Sequence, residues 1–329
     1  MLPTRPLGQS GLQITTLGFG AWATGGGGWA FSWGPQDDKA SLAAMRRAIE
    51  HGVNWIDTAA VYGLGHSEEV VGRLLREMPA ASRPLVFTKC GLIWDPMEPM
   101  VQAKRSLRPE SVRRECEASL QRLGVERIDL YQFHWPDETG TPVEESWAEM
   151  IRLVDEGKVR CPAVSNFGVA LLERCEAIRR VESLQSPFSL VRRDLAREEI
   201  PWSVKHGSGV LAYSPMQSGI LTDSFSADRV AAMAPDDWRR RNLEFQPPRL
   251  AANVALRDAL RPIAARHGVS VSAIALAWVI AFPGVTAAIV GARSVEQVEG
   301  WIAGAQVELT KTDLDEIARA CQMRDTRVE

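Results

Sequence analysis

Short apolar runs closed by polar residues alternate along this chain with longer segments whose apolar positions recur at helical spacing. That alternation predicts buried strands and amphipathic helices in repeating units. Leu42, Met45, Ala48 and Ile49 predict a helix from Asp38 to about His51, and Val70, Val71, Leu74 and Leu75 form the inner stripe of another from about Ser67 to Met78. Pro109 suits a first helical turn, and Val112, Cys116, Leu120 and Leu123 carry that helix inward. In Thr141-Pro142-Val143-Glu144 a threonine cap, a proline at the first helical position and a glutamate three residues on predict a helix start. Ser270 to Phe282, with Ile274, Ala277, Trp278 and Ile280, reads as a buried helix. Thr310 caps a last one, with Leu314, Ile317 and Ala318 turned inward.

The strands between them are Asn54 to Asp57, Leu85 to Lys89, Ile128 to His134, Val159 to Asn166, a short one closed by Gln185, Gly209 to Pro215 and Ala287 to Val290. These are the second to eighth strands; with a first before the Asp38 helix they make eight strand–helix units, and with no linker rich in proline, serine or charge they predict one domain over residues 1–329. Its fold class is α/β, a (β/α)8 TIM barrel of parallel strands. Arg5 to Ile14, two short apolar stretches around a Gly/Ser turn, reads as an N-terminal β-hairpin. Met216 to about Pro248 is a long loop after strand 7, and the last helix is an extra C-terminal one laid across the barrel.

Polar groups stand where three of these strands end. Asn54-Trp55-Ile56-Asp57-Thr58-Ala59-Ala60-Val61-Tyr62-Gly63 ends a buried strand on a carboxylate with a tyrosine five residues later; the next two strands end on Lys89 and His134. In a parallel barrel all carboxyl ends meet on one face, so Asp57, Tyr62, Lys89 and His134 can converge. Asp57 taken alone reads equally well as a cap on the following helix. Leu17-Gly18-Phe19-Gly20-Ala21-Trp22-Ala23 mimics a dinucleotide fingerprint, but Gly25 to Gly28 follow where such a fingerprint opens into a helix. Those glycines predict a loop, on which Trp29, Phe31 and Trp33 either wall a pocket or pack down. Trp94, with Pro96 and Met97 near it, lies in a long connection at the same mouth, a place for substrate contacts. Ser294 and Gln297 form a capping-box pattern; the same helix start, with Arg293 beside it, suits the 2′-phosphate of NADP.

The chain has 329 residues, a formal charge of −3 and scattered arginines, so no nucleic-acid footprint stands out. No apolar window reaches membrane length and the start lacks a signal core, so no membrane partner and a cytoplasmic location are expected. The 5 cysteines are odd in number and widely spaced, without a metal-ligand pattern, so reduced thiols, no disulfide and no metal are expected. Cys90 adjoins Lys89, whose ammonium could lower the thiol pKa.

The order Asp57, Tyr62, Lys89, His134, within Ile56 to Gly63, Phe87-Thr88-Lys89 and Tyr131-Gln132-Phe133-His134-Trp135, resembles the aldo-keto reductase superfamily, in its bacterial NADP-dependent oxidoreductase branch. The resemblance runs from the hairpin to about residue 320. It implies NADPH-dependent reduction of aldehydes and ketones, reversible as alcohol oxidation, with Tyr62 as general acid/base. Lys89 would tune Tyr62 toward phenolate, Asp57 would balance Lys89, and His134 would aim the carbonyl. It also implies that Ser165, Asn166 and Gln185 hold the nicotinamide carboxamide, that Tyr213 stacks on its ring, and that Ser214, Pro215, Gly219, Leu221, Gly291, Arg293, Ser294 and Gln297 bind the rest of NADP(H). A small carbonyl or alcohol substrate would meet Trp29, Trp33 and Trp94, and some relatives form homo-oligomers.

The chain departs from the family pattern at Pro162-Ala163, Asp223-Ser224 and Gly300-Trp301. Proline is awkward in a central strand and predicts a local distortion beneath Ser165 and Asn166. The other two departures remove a positive charge near the pyrophosphate and either remove the adenine contacts or replace them by stacking on Trp301. They leave open a catalytically weak barrel acting as a nucleotide-binding sensor or partner subunit. An unrelated barrel, such as a carboxylate-pair hydrolase, would bind no nicotinamide and would leave the four mouth residues unexplained.

Overall fold

The computed structural model describes residues 2–233 and 237–328. Strands β1 (Thr4–Pro6) and β2 (Gln13–Thr15) form an antiparallel hairpin. The barrel strands begin with β3 (Leu17–Gly20), β4 (Trp55–Asp57) and β5 (Leu85–Cys90). A two-stranded hairpin, β6 (Leu92–Ile93) and β7 (Lys104–Arg105), rises from the connection after β5. The barrel continues through β8 (Ile128–Phe133), β9 (Val159–Ser165), β10 (Ser183–Pro187), β11 (Gly209–Tyr213) and β12 (Ala287–Gly291), and closes by pairing β12 with β3, every pair parallel. This is the (β/α)8 barrel, with the expected hairpin, post-strand-7 excursion and C-terminal helix.

Strand periodicity decides what lies inside. Side chains alternate between faces, so residues two apart share one. Trp55, Phe87, Leu130, Ala163, Leu211 and Ala287 point into the barrel and pack on Leu7, Leu12 and Ile14 of the hairpin, which closes the bottom. Their neighbours Ile56, Val86, Tyr131, Val164, Val210 and Ala288 point outward to the helices. Trp55 and Phe87 lie 5.0 Å apart at their ring centroids. Gly18 leaves room for them: a Cβ there would come within 2.1 Å of the Trp55 ring.

The fingerprint-like segment behaves as its glycines require. β3 ends at Gly20 and only a short 3-10 turn, Ala23–Gly25, follows. Helices form over Asp38–Glu50, His66–Glu77, Pro109–Leu123 and Val271–Ala281, capped in the first case by Asp37 and in the last by Ser270. The excursion after β11 has its own core, where Ile220, Leu221, Phe225 and Phe245 pack on Leu256, Leu260, Ile274 and Ile317. No single helix among the described residues is long and apolar enough to cross a membrane.

Four local expectations are corrected. β9 runs unbroken through Pro162, which pairs with Tyr131. The Pro162 carbonyl faces the opposite side, accepting from the Glu182 amide, just before β10 begins. Its missing N–H therefore falls on a side where the neighbouring strand has not yet started. The helix after the His134 loop starts at Val143 with no side-chain cap; Asp137 instead takes the Thr139 and Thr141 amides, holding Thr141 in the preceding turn. In the last helix, Lys311–Val328, Leu314 and Ala318 face solvent while Asp313, Ile317, Cys321 and Arg324 are buried. Asp313 sets that rotation, because Arg266, His267 and Thr310 all bond to it. Gln185 lies in the middle of β10 rather than at its end, level with Ser165 and Leu211.

Candidate active site

One step above the inward apolar layer, the same periodicity delivers polar residues. Two positions past Trp55, Phe87, Leu130, Ala163 and Leu211 stand Asp57, Lys89, Gln132, Ser165 and Tyr213, with His134 two beyond Gln132. Gln185 completes this layer from β10. The C-terminal ends of the barrel strands thus carry a polar floor directly on an apolar plug.

Buried charge in that floor is paired. Lys89 Nζ donates to Asp57 Oδ2 at 2.5 Å and to the Thr58 carbonyl at 2.9 Å, with no exposed side-chain surface. The other Asp57 oxygen accepts from Gln185 Nε2 at 2.8 Å and Gln132 Nε2 at 3.3 Å, so both carboxylate oxygens are partnered. Gln185 also donates to Gln132 Oε1 at 3.1 Å, locking both amides. Lys89 Nζ lies 5.2 Å from the centre of the Tyr62 ring, and the His134 ring stands edge-on to it at 5.7 Å.

Burial sets the protonation states. Burial first, then Asp57 and Tyr213, lifts the Tyr62 hydroxyl well above its ordinary value, so it is a phenol at neutral pH. Lys89, 5.2 Å from the ring centre, does not offset that rise. The Lys89 charge is already neutralised at contact distance by Asp57, and desolvation wins. Burial lowers Lys89 as well, opposed by Asp57 and Glu68. Burial, with the charges of Lys89 and Arg105, holds His134 well below its usual range, which leaves a neutral imidazole. Cys90 is pushed far up by burial, so its neighbour Lys89 does not activate it.

A cavity of about 1130 Å³ opens over this floor. Asp57, Tyr62 and His134 line it, while Lys89 lies behind them. Ser165, Asn166, Gln185, Tyr213, Ser214, Pro215 and Gly219 line its middle, and Gly291, Arg293 and Gln297 its far end. Asn166, at a left-handed φ of 61°, donates from Nδ2 to the His134 carbonyl at 2.9 Å and accepts from the Tyr213 hydroxyl at 2.8 Å. Two expected residues do not line it. Leu221 is buried in the core of the excursion, and Ser294 caps its helix, accepting from the Gln297 amide. Gln297 answers by accepting from the Arg293 amide at 2.8 Å, one residue before the cap, rather than from the Ser294 amide of a true capping box.

At the sequence departures, Asp223 is spent on a helix start, accepting from the Val271 amide at 3.0 Å. The Gly300 carbonyl accepts from Ser270, and Trp301, packed into the core against the barrel, also lines the cavity beside Gly300 and Gln297.

Trp29, Trp33 and Trp94 all line the mouth. Trp29 lies 6.3 Å from Tyr62 and donates its indole N–H to the Gly26 carbonyl. Sequence reasoning missed two partners. Trp22 stacks on Tyr62 at 6.0 Å, and Trp238 of the excursion stacks on Trp22 at 5.6 Å. Trp22 sits two residues past Gly20, so strand alternation could have found it; Trp238 carries no such signal. Gln132 was legible as the inward residue between Leu130 and His134.

Residues 16–321 match the model of the Aldo/keto reductase family. The Aldo-keto reductase YhdN of Bacillus subtilis (strain 168) is 33% identical over 294 residues, covering 89% of this chain and 86% of that protein. The NADH-specific methylglyoxal reductase of Escherichia coli (strain K12) is 31% identical over 317 residues, covering 94% and 95%. The solved structure of the glycerol dehydrogenase AKR11B4 from Gluconobacter oxydans has a TM-score of 0.86 at 35% identity, covering 99% of this chain and 96% of that one. A barrel whose strand ends gather a buried Lys–Asp pair, a tyrosine and a neutral histidine, matched over nearly its whole length, belongs to the aldo/keto reductase family, oxidoreductases that act on carbonyl groups with nicotinamide cofactors.

Proposed function

We propose that this chain reduces small aldehydes and ketones with NADPH, and oxidises the corresponding alcohols in reverse, with Tyr62 as the general acid/base. The observation that carries the reading is the Tyr62 phenol, kept protonated by burial at the floor of the cavity, between the Lys89–Asp57 pair and a neutral His134. A protonated tyrosine can donate to a developing alkoxide, and a neutral imidazole can orient the same oxygen without competing for its proton. Lys89 is the positive charge that the phenolate would meet once Tyr62 has given up its proton. Asp57 holds that ammonium in place.

The cavity fits a nicotinamide dinucleotide. At about 1130 Å³ it exceeds the roughly 300–1,000 Å³ of ordinary ligand pockets. It runs from Tyr62 past the Asn166–Tyr213 pair to the helix start at Arg293 and Gln297. When bound, the reduced cofactor supplies hydride to the carbonyl carbon. Ser165, Asn166 and Gln185 would hold the carboxamide and Tyr213 would lie against the ring. Arg293 beside a helix amino-terminus supports NADPH over NADH. Trp29, Trp33 and Trp94 would wall the substrate side.

Fluorescence titration with NADPH and NADH, then mixing with an aldehyde panel, tests the proposal. Tighter NADPH binding followed by oxidation supports it, whereas tighter NADH binding would reverse the cofactor preference and leave the reductase. Binding without oxidation would point to a nucleotide sensor instead.

A further inference from the structure

Beside the catalytic cavity lies a second one of about 1110 Å³, and Ala30, Phe31, Gln102 and Trp238 line both. The first is walled by tryptophan. The second is walled by arginine, six guanidinium groups against three carboxylates among the described residues. Arg193 is paired with Asp325, Arg249 and Arg324 share Glu244, and Arg197 stands 4.0 Å from Asp194. Arg192 and Arg241 have no carboxylate partner among the described residues and are exposed to the cavity.

Arg192 is fixed by the turn that follows β10, at the catalytic end of the barrel. The Ser189 amide donates to the Arg192 carbonyl at 2.9 Å, and the Arg192 amide donates to Ser189 Oγ at 3.1 Å. Its charge reaches Tyr213, where with Arg105 it opposes the effect of burial. No carboxylate among the described residues of the neighbouring catalytic cavity offsets it. Asp57 is neutralised by Lys89, Asp237 by Arg239, and Asp223 faces the Arg261 guanidinium at 3.8 Å. A molecule with its carbonyl at Tyr62 that extends past Phe31 and Trp238 therefore enters a field of uncompensated positive charge.

We propose that the arginine-lined cavity receives the anionic tail of the substrate, so that the preferred compounds are aldehydes or ketones carrying a carboxylate or phosphate remote from the carbonyl. This rests on the reductase reading. The carbonyl carbon takes hydride from the reduced nicotinamide and the oxygen takes the Tyr62 proton, giving an alcohol and the oxidised cofactor; the tail is unchanged. Guanidinium forks match both carboxylate and phosphate.

The test compares matched pairs: succinic semialdehyde with butanal, and glyceraldehyde 3-phosphate with glyceraldehyde. The anionic member of each pair should show a kcat/KM at least about tenfold higher, carried by KM, and the advantage should shrink with added salt. Arg192→Ala should abolish most of it and leave the neutral aldehydes unchanged, with Arg192→Lys restoring part. Equal kcat/KM within each pair, or an Arg192→Ala effect that falls equally on both members, would overturn the proposal while the reductase stands. In parallel, succinate is titrated against tryptophan fluorescence. If no aldehyde is turned over but succinate binds in an Arg192-dependent way, the reductase reading falls and the anion site survives. Absence of both turnover and succinate binding overturns both.

Discussion

Tyr62 is one of only 3 tyrosines in the chain, and no other can take its place. Tyr131 points outward into the helix layer and Tyr213 is tied through its hydroxyl to Asn166. Tyr62→Phe removes the proton and keeps the ring, so we expect a fall in turnover of about 10²–10⁴-fold with cofactor affinity unchanged. Cofactor-fluorescence titration beside steady-state rates checks this, and retained turnover would remove Tyr62 from its role. Glu115 shows how an unremarked half-buried acid acts on stability. Its carboxylate accepts from the Gly91 amide at 2.8 Å, just past the Lys89 strand position, and burial raises it from 4.5 to about 6. A raised carboxyl favours the folded state when protonated, so its contribution is fully present below pH 4.5 and is lost as pH rises through 6. The loss is on the order of 2 kcal/mol. Denaturant titrations of wild type and Glu115→Gln from pH 4 to 7 should show wild type losing that much relative to the variant, and parallel curves would refute it.

Strands and helices are where the sequence was most readable, because their periodicities are set by burial. Gly18 is a sharp test of that layer. With a Cβ 2.1 Å from the Trp55 ring, Gly18→Ala must displace the indole or the strand. We expect a loss of about 1–3 kcal/mol or more by denaturant unfolding, and a near-neutral result would mean the plug is loosely packed. Asp57, Lys89 and His134 were legible because each interrupts an apolar strand at the end where a barrel gathers its chemistry. Pro162 was misjudged because a sequence does not tell on which side of a strand the neighbour begins. Leu314 and Ala318 were misassigned because apolar spacing alone set the face, while three partners turn Asp313 inward. Trp238 was invisible for a different reason: it reaches Trp22 through the folding of a long excursion, and nothing local marks it.

The two ends of the catalytic cavity are joined by one loop. Trp29 near Tyr62 and Trp33 at the mouth belong to the same segment as Gln36, which grips Arg293 from both sides. Gln36 Oε1 accepts from Arg293 Nε at 2.7 Å, and Gln36 Nε2 donates to the Arg293 carbonyl at 3.0 Å. The Arg293 guanidinium also donates to the Trp33 carbonyl at 3.1 Å and to that of Pro35. Arg239 meanwhile stacks over the Trp33 ring at 4.7 Å. A guanidinium so occupied has fewer donors left for a 2′-phosphate, so NADPH would have to draw Arg293 partly away from the loop. Gln36→Ala removes the bond that occupies Arg293 Nε and the tether to the Arg293 backbone carbonyl, without touching the phosphate site. If Arg293 reads the 2′-phosphate, that variant should bind NADPH about tenfold more tightly, since one freed hydrogen bond from a charged group is worth roughly 1.5 kcal/mol net, and bind NADH as before. Hydrogen exchange over residues 29–37 should rise in the same variant, because the loop has lost its tether. Unchanged NADPH affinity together with faster exchange would show that Arg293 serves the loop alone, and cofactor preference would then have to be sought elsewhere in the cavity.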